Sequence, residues 1–457
     1  MYHAFARTQT LLRCAWALHG DRTHLSCRTV PDAATAVDSS VVLDELRVLD
    51  LSRVLAGPYA TQLLADLGAT VWKVEPPRGD DTRGWGPPFA EDASGNPVES
   101  AYFMSVNRGK RSLAIDLKDP RGAELVRELA GFADVLIENF KVGDLARYGL
   151  EPGALRERHP RLITCSITGF GSTGPRARQP GYDVALQALT GVMAMTGQAD
   201  EPPAKVGVAW IDVLTGLHAA VGVLAALQAR ERSGVGAHLD MALWDVTLAS
   251  LVNQAQATLL TRTPPLRLGS AHPTIVPYQA FEASDAPFVV ACGNDRQFQR
   301  LAEAVGMKEL ASDPRFVSNA GRVRERAVLV PLLSERFATA PRSHWIEALA
   351  AVGVPVTPVS TLLEALDDPQ TSARGLVQLV EHPQAGPVPM VSSPFGAHAA
   401  RPVPPPRVGE HTRSVLSEVL GMTDEGIDAL LEDRVILAPS RSDSVSGDGA
   451  GGRRGAV

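Results

Sequence analysis

The residue types that could do chemistry in this chain of 457 residues are carboxylates rather than metal ligands or nucleophilic hydroxyls. Gly-x-x-x-x-Gly-Lys-Ser/Thr, Gly-x-Ser-x-Gly and His-Glu-x-x-His are all absent, and the 11 histidines are scattered without metal-ligand spacing. We therefore expect no bound metal, no P-loop and no serine-type triad. A carboxylate enzyme or a non-enzyme remains.

Asp183 is the carboxylate that the sequence singles out, because it joins a turn rich in proline and arginine (residues 175–180) to an amphipathic run. Asp is favoured at such a junction by the free N–H groups and the positive dipole end of a helix. This segment alone predicts a helix N-cap rather than a catalytic group. The two interpretations are compatible, since a helix N-terminus would also keep the carboxylate ionised.

Residues 169–174 match Gly-x-Gly-x-x-Gly and follow a predicted strand, as in dinucleotide-binding proteins. That fingerprint also requires a helix opening on the glycines and an acidic residue closing the next strand. Here Pro175 and Pro180 interrupt any helix, and no acidic residue stands at the required place. The sequence therefore argues against nicotinamide binding.

Strand and helix signals alternate from residue 46, which predicts an α/β protein with a Rossmann-like parallel sheet. Helices dominate after Asp183, and shorter strands and helices then form a smaller α+β domain. The strands of the large sheet are expected at residues 46–51, 69–75, 111–116, 135–138 and 161–167. The predicted divisions are 46–235 for the large domain, 236–265 for connecting helices, 266–356 for the small domain and 357–437 for a return segment.

The two ends of the chain differ in composition from the part that is expected to fold. Residues 1–45 are predicted to be a mitochondrial transit peptide and a loose lead, because the first 31 residues carry four arginines and one acid. A disordered extension is the alternative. Residues 438–457 are of low complexity and are predicted to be disordered.

Net charge and hydropathy exclude two classes of partner. A net charge of −7 gives no reason to expect nucleic acid. The most apolar run, residues 213–227, is shorter than the about 20 residues needed to span a bilayer, so it predicts a buried helix and no membrane association.

Eight short motifs in collinear order resemble those of the family III CoA-transferases, from about residue 48 to 431. Each is weak alone, but the shared order is specific. They lie at residues 53–58, 68–75, 79–83, 107–112, 135–140, 166–171, 181–183 and 409–412. The resemblance implies an interlocked homodimer, acyl-CoA and carboxylic acid substrates, and no further cofactor. Residues 80–89 and 269–281 are most similar to mitochondrial members that move CoA from succinyl-CoA to a dicarboxylate, with glutarate the expected acceptor.

The resemblance gives Asp183 the role of nucleophile. Its carboxylate would attack the thioester to form a mixed anhydride, and the CoA thiolate would return to make an aspartyl-CoA thioester for the acceptor. The second carboxylate of a dicarboxylate calls for a cation, for which Arg53, Arg83 and Arg108 are candidates, with a salt bridge the alternative for each. The residues implied to bind CoA are Ala56, Arg78, Ile115, Lys118, Asn139, Phe140 and Arg147.

Two of these residues carry alternatives. Phe140 is expected beside the adenine, but ordinary packing at a strand end explains it equally well. Arg78 is expected to replace a basic residue of the formyl-CoA transferases, since Pro76 stands at the corresponding place here.

Transfer of CoA to another carboxylic acid remains open, and so do two other functions. The α-methylacyl-CoA racemases resemble this chain but pair the aspartate with a histidine, whereas Tyr182 precedes Asp183 here and His159 is the only nearby substitute. A non-catalytic CoA-binding protein would also retain Asp183, as a helix cap.

Overall fold

The computed structural model of the chain describes residues 42–440. The predicted transit peptide, up to residue 41, and the predicted disordered tail, from residue 441, therefore lie outside the described residues. Within them the strands are β1 (Arg47–Asp50), β2 (Thr70–Glu75), β3 (Phe89–Glu91), β4 (Pro97–Ser100), β5 (Arg111–Ile115), β6 (Val135–Glu138), β7 (Ile163–Thr168), β8 (His238–Ala242), β9 (Tyr278–Glu282), β10 (Pro287–Ala291), β11 (Val356–Pro358), β12 (Val377–His382), β13 (Gly386–Val391) and β14 (Ile436–Leu437).

Helices connect these strands and cover the sheet. They are α1 (Ala56–Asp66), α2 (Ala101–Asn107), α3 (Pro120–Ala130), α4 (Pro152–Arg158), α5 (Asp183–Leu189), α6 (Val192–Met195), α7 (Trp210–Ser233), α8 (Leu243–Ser250), α9 (Val252–Thr261), α10 (Asp295–Ala304), α11 (Asn319–Arg324), α12 (Arg326–Phe337), α13 (Arg342–Ala351), α14 (Leu362–Leu366), α15 (Pro369–Ala373), α16 (Thr412–Leu420) and α17 (Asp424–Glu432).

The large sheet has seven strands in the order β14-β5-β2-β1-β6-β7-β8, all parallel except β14. One apolar core lies on each face, and Val48, Leu49, Leu136 and Ile137 at the centre of the sheet are fully buried. The predicted α/β class is thus confirmed. The chain runs outward from β1 to β2 and β5 and then returns to place β6 on the other side of β1. Ligands of open α/β sheets bind at such a switch point, outside the carboxyl ends of the strands.

The main departure from the predicted elements is β8, which lies in the stretch expected to hold only connecting helices. This edge strand carries His238 and Asp240 on its exposed face, so its sequence lacks the continuous apolar run of a buried parallel strand. The large sheet consequently extends past residue 235, where the predicted large domain ends.

The smaller sheet, β11-β10-β9, is antiparallel and has an apolar core of its own. Phe288, Phe298, Phe337 and Trp345 are all buried in this core, and Phe337 packs edge-on against both Phe288 and Trp345. The core residues lie between 276 and 354, within the segment predicted to form an α+β module.

Helix α7 is longer than the apolar run that predicted it, and by length and composition alone it would suffice to cross a membrane. Its buried residues Ile211, Ala219 and Val223 belong to the core beside the sheet. Gly216 permits the close approach of α7 to α1, because a Cβ there would lie 2.5 Å from the carbonyl oxygen of Ala56.

Candidate active site

Asp183 is the first residue of α5, which follows a long connection from the carboxyl end of β7. Two glycines set its position, since a Cβ on Gly169 would lie 2.6 Å from the Cα of Gly181. That approach keeps the segment before Asp183 close to the end of β7. No helix opens on residues 169–174, and α5 begins only at Asp183, as expected if this glycine stretch is not a dinucleotide fingerprint.

The carboxylate of Asp183 does not cap its own helix, which corrects the N-cap prediction. Tyr182 occupies the N-cap position, and no side chain caps α5. Asp183 instead reaches the N-terminus of α7, where its Oδ2 accepts a hydrogen bond of 2.7 Å from the backbone N–H of Ile211. Its Oδ1 accepts one of 2.6 Å from the side-chain amide of Gln187. The positive end of a different helix, with its free N–H groups, therefore meets the Asp183 carboxylate.

A second carboxyl group, that of Asp212, lies beside Asp183 at the start of α7. The backbone N–H of Asp212 is 3.4 Å from Oδ2 of Asp183. Burial, and next the charge of Asp183, raise the pKa of Asp212 to about 7. Burial and the neighbouring carboxyl groups of Asp212 and Asp183 also raise the pKa of Tyr102, on α2, to about 12.

A cavity of about 480 Å³ opens next to these groups. Its walls come from the connections that follow β1, β6 and β7 and from the start of α7. Its lining includes the predicted residues Arg53, Ala56, Asn139 and Phe140, and the unpredicted Lys141, Arg178, Tyr182 and Asp212.

An adjoining groove of about 530 Å³ gathers most of the residues implied to bind CoA. Both spaces share Arg53, Phe140 and Asp144 in their linings, so they meet at that point. Six predicted residues line the groove: Arg53, Arg78, Ile115, Lys118, Phe140 and Arg147. This is the switch point of the sheet.

The turn after β1 is held in an unfavourable conformation at the junction of the two spaces. Val54 has a φ of 72°, which is rare for a β-branched residue. Next to it, Asn139 clamps Arg53 with two hydrogen bonds: the amide donates to the Arg53 carbonyl at 2.6 Å and accepts from the Arg53 N–H at 2.9 Å. The Arg53 guanidinium lies 5.5 Å from the centre of the Phe140 ring.

A buried ionic cluster supports this turn from below. Lys73 donates to the Ser52 carbonyl and to Asp80, each at 3.0 Å, and Lys110 donates to Asp50 at 3.1 Å. Burial alone would raise the pKa of Asp50, but the charges of Lys110 and Lys73 bring it below its usual value. The motif lysines are thus internal supports rather than groove cations.

Two of the predicted clamp residues do not reach the cavity. Arg83 pairs with Glu75 at 2.8 Å and Glu99 at 2.6 Å, and its ring contact with Phe103 is internal. Arg108 is buried in a pair with Asp66, to which its Nε donates at 2.9 Å. Their guanidinium groups are already engaged by protein carboxylates, which corrects their assignment as substrate clamps.

The histidine that the racemase alternative needs is also missing from the cavity lining. His159 ends α4 and packs next to Gly131, where a Cβ would lie 3.0 Å from the imidazole Cε1. The sequence does not single out Gln187, Arg178 or Asp212. Each has the character of an ordinary helix or loop residue until the fold brings it near Asp183.

Comparisons with known proteins show the family to which the chain belongs. The family description "CoA-transferase family III" matches residues 43–412. This chain belongs to CoA-transferase family III. A family III relative, the succinate–glutarate CoA-transferase of Agrobacterium fabrum, is 44% identical over 82% of this chain and 95% of its own length.

The chain is also similar to an animal protein and to a solved structure. The succinyl-CoA:glutarate CoA-transferase of Homo sapiens is 41% identical over 86% of this chain and 90% of its own. The crystal structure of a CaiB/BaiF family protein from Brucella suis has a TM-score of 0.73 and 45% identity, covering 82% of this chain and 98% of that one.

Proposed function

We propose that this protein transfers CoA from succinyl-CoA to a dicarboxylate, with glutarate the preferred acceptor. The observation that carries the proposal is the Asp183 carboxylate, held by Gln187 and by the N-terminus of α7 beside a cavity that meets a cationic groove. The similarity to relatives named for succinate and glutarate supports the choice of substrates.

In the proposed mechanism Asp183 forms and breaks every covalent bond on the protein side. Its carboxylate oxygen attacks the succinyl carbonyl, and the C–S bond breaks to give a succinyl–aspartyl anhydride and CoA thiolate. The thiolate attacks the aspartyl carbonyl and releases succinate, leaving an aspartyl-CoA thioester. Glutarate attacks that thioester, and the C–S bond breaks to give a glutaryl–aspartyl anhydride and CoA thiolate. The thiolate then attacks the glutaryl carbonyl, which gives glutaryl-CoA and releases the Asp183 carboxylate. No net proton or electron is exchanged.

The groove would hold the nucleotide end of CoA. Arg78, Lys118 and Arg147 line it and suit anionic phosphates, while Phe140 offers an apolar ring next to Arg53. The pantetheine arm would then pass the shared lining toward Asp183. No other cofactor enters this scheme, so transfer should survive dialysis against EDTA, and loss of activity there would contradict it.

Arg53 and Arg178 are proposed to hold the distal carboxylate of the acceptor. Both line the cavity. Arg178 makes no ion pair within residues 42–440, and Arg53 makes only a long, partly exposed one with Asp81 at 3.7 Å. Replacing either with Gln should raise KM for glutarate more than KM for a monocarboxylate of similar length, because only the dicarboxylate loses a charged contact. An equal effect on both acceptors would contradict this role.

The test of the function is direct. We expect the protein to convert succinyl-CoA and glutarate to glutaryl-CoA, followed by mass spectrometry, and Asp183→Asn to abolish transfer. Hydroxylamine added during turnover should trap an adduct on Asp183 of the wild-type protein only. Transfer that is unaffected by Asp183→Asn would contradict the mechanism.

We also propose a homodimer, supported by apolar surface that this chain leaves uncovered. Helix α9 has no buried residue, and Leu259 and Leu260 are 61% and 77% exposed. Contiguous exposed apolar residues are typical of an interface between subunits.

A mitochondrial matrix location is proposed from the arginine-rich, acid-poor composition of the first 31 residues. Fusion of residues 1–45 to a fluorescent protein tests it. Cytosolic fluorescence of that fusion would contradict the proposal.

A further inference from the structure

Asp212 lines the cavity, and its own backbone N–H points to the carboxylate of Asp183. It is the third residue of α7, and its own N–H lies 3.4 Å from Oδ2 of Asp183. Its side chain is partly buried and lines the cavity. Within residues 42–440 it makes no ion pair and no side-chain hydrogen bond, so its carboxyl group is available to a ligand in the cavity.

If Asp212 were ionised, a second negative charge would lie next to it at each stage of turnover. In the free enzyme the neighbouring group is Asp183, whose carboxyl oxygens accept hydrogen bonds from Gln187 and Ile211. Once Asp183 is acylated, the neighbouring charge is that of the succinate that leaves or the glutarate that attacks. Like charges in a partly buried site disfavour one another, and the least stabilised of them takes up a proton. Asp212 lacks the donors that Asp183 has, so it is the group that is protonated.

The charged and titratable groups around Asp212 come from several elements. The charge of Asp183 on α5 raises the pKa of Asp212, and both carboxyl groups raise the pKa of Tyr102 on α2. The other such groups in the cavity lining are Arg53, Asp81, Lys141, Asp144, Arg178 and Tyr182. The cations are on connections, and among residues 42–440 none of them forms an ion pair with Asp212.

We propose that Asp212 works in its protonated form as a hydrogen-bond donor to the substrate carboxylate that reacts at Asp183, an inference that rests on the proposed function. Its O–H would stabilise the charge that builds on succinate as it leaves the anhydride. The same donor would orient the glutarate carboxylate as it attacks the aspartyl thioester. The proton remains on Asp212 throughout, so the balance of the covalent steps is unchanged.

The pH dependence of kcat/KM follows from this role. Since only the protonated form donates, kcat/KM should fall as pH rises through the pKa of Asp212, near 7. Asp212→Asn keeps an N–H donor that cannot ionise, so we expect activity within about 5-fold of wild type at pH 6 and no alkaline fall. Asp212→Ala removes the donor and should lower kcat/KM about 100-fold at pH 6, the effect of losing one such donor.

Asp212 could also act by stabilising the first turn of α7, because an Asp in a first helical turn stabilises a helix. This structural role needs a control of its own. Asp245 occupies the first turn of α8, is exposed and does not line the cavity. Asp245→Asn and Asp245→Ala should therefore leave the pH profile of transfer unchanged. Circular dichroism of all four variants tests folding, and if Asp212→Ala does not fold, the profile of Asp212→Asn alone decides.

The outcomes separate this inference from the proposed function. Two results would overturn the role of Asp212 while wild-type transfer continues. One is an alkaline fall of kcat/KM that persists at the same pH in Asp212→Asn. The other is a kcat/KM of Asp212→Asn at pH 6 that is as low as that of a folded Asp212→Ala. A wild-type profile that is flat above pH 6 would also overturn it. Absence of glutarate transfer by the wild-type protein at every pH would overturn the proposed function, and this inference with it.

Discussion

The orientation of Asp183 depends on one fully buried side chain, Gln187. Its amide nitrogen donates to Asp183, and its amide oxygen accepts from the backbone N–H of Val206 at 2.9 Å. Both ends of the amide are therefore fixed, which sets the direction of the bond to the carboxylate. A buried hydrogen bond to a charged group is worth about 1.5–3 kcal/mol, and its loss leaves the partner unsatisfied.

Gln187→Ala should consequently lower kcat about 10- to 100-fold while changing KM for succinyl-CoA little, because the positioned nucleophile is lost rather than the CoA groove. Steady-state kinetics with succinyl-CoA and glutarate measures both constants. Thr190→Ala is the matched control, since among residues 42–440 that hydroxyl, directly after α5, bonds only to the Leu186 carbonyl of the helix. An equal loss of kcat in both variants would show that general damage to α5, not the amide, is responsible.

Among the elements, α7 has the largest influence on the site because its N-terminus supplies the N–H groups that meet Asp183. Its place is fixed by its packing against α1 at Gly216, where a Cβ would meet the Ala56 carbonyl oxygen and, at 3.0 Å, the Tyr59 ring. At Gly222, six residues later, the atoms nearest to a Cβ are the ends of side chains, Met241 Cε at 3.1 Å and Leu239 Cδ1 at 3.3 Å.

The two glycines therefore make a matched pair on one helix. Gly216→Ala should lower the free energy of unfolding by about 1–3 kcal/mol, because backbone must move, and should also reduce kcat. Gly222→Ala should be neutral or stabilising by up to about 1 kcal/mol, because Ala favours a helix. Urea unfolding followed by circular dichroism gives both values. Equal stability of the two variants would contradict the close packing.

For the whole molecule, the exposed apolar face of α9 predicts association. Leu260→Asp places a charge there and should shift the protein from dimer to monomer, as followed by sedimentation equilibrium. Phe132→Asp is the control, since Phe132 is an exposed aromatic residue that follows α3 and does not belong to α9, and it is 48% exposed. A monomeric wild-type protein, or a dimer unaffected by Leu260→Asp, would contradict the proposed interface.

The sequence alone determined the α/β class, the start of a helix at Asp183 and the absence of a helix on the glycine-rich stretch. Periodicity, proline and glycine act locally, so these features can be predicted without knowing which elements meet. It also indicated residues such as Arg78, Lys118 and Arg147, which the fold gathers in one groove because they follow strands or connections that end on the same side of the sheet.

Only the tertiary structure decided which partner each charged residue has. Arg83 and Arg108 are candidates for substrate clamps in the sequence. In the folded chain each forms an ion pair with an internal carboxylate, so neither guanidinium is free to bind a ligand. Asp183 looks like a cap of its own helix, yet its donors come from a glutamine one turn on and from a helix that starts 27 residues later. Hydrogen bonds and ion pairs act over a few ångströms in space, and separation along the chain does not reveal those distances.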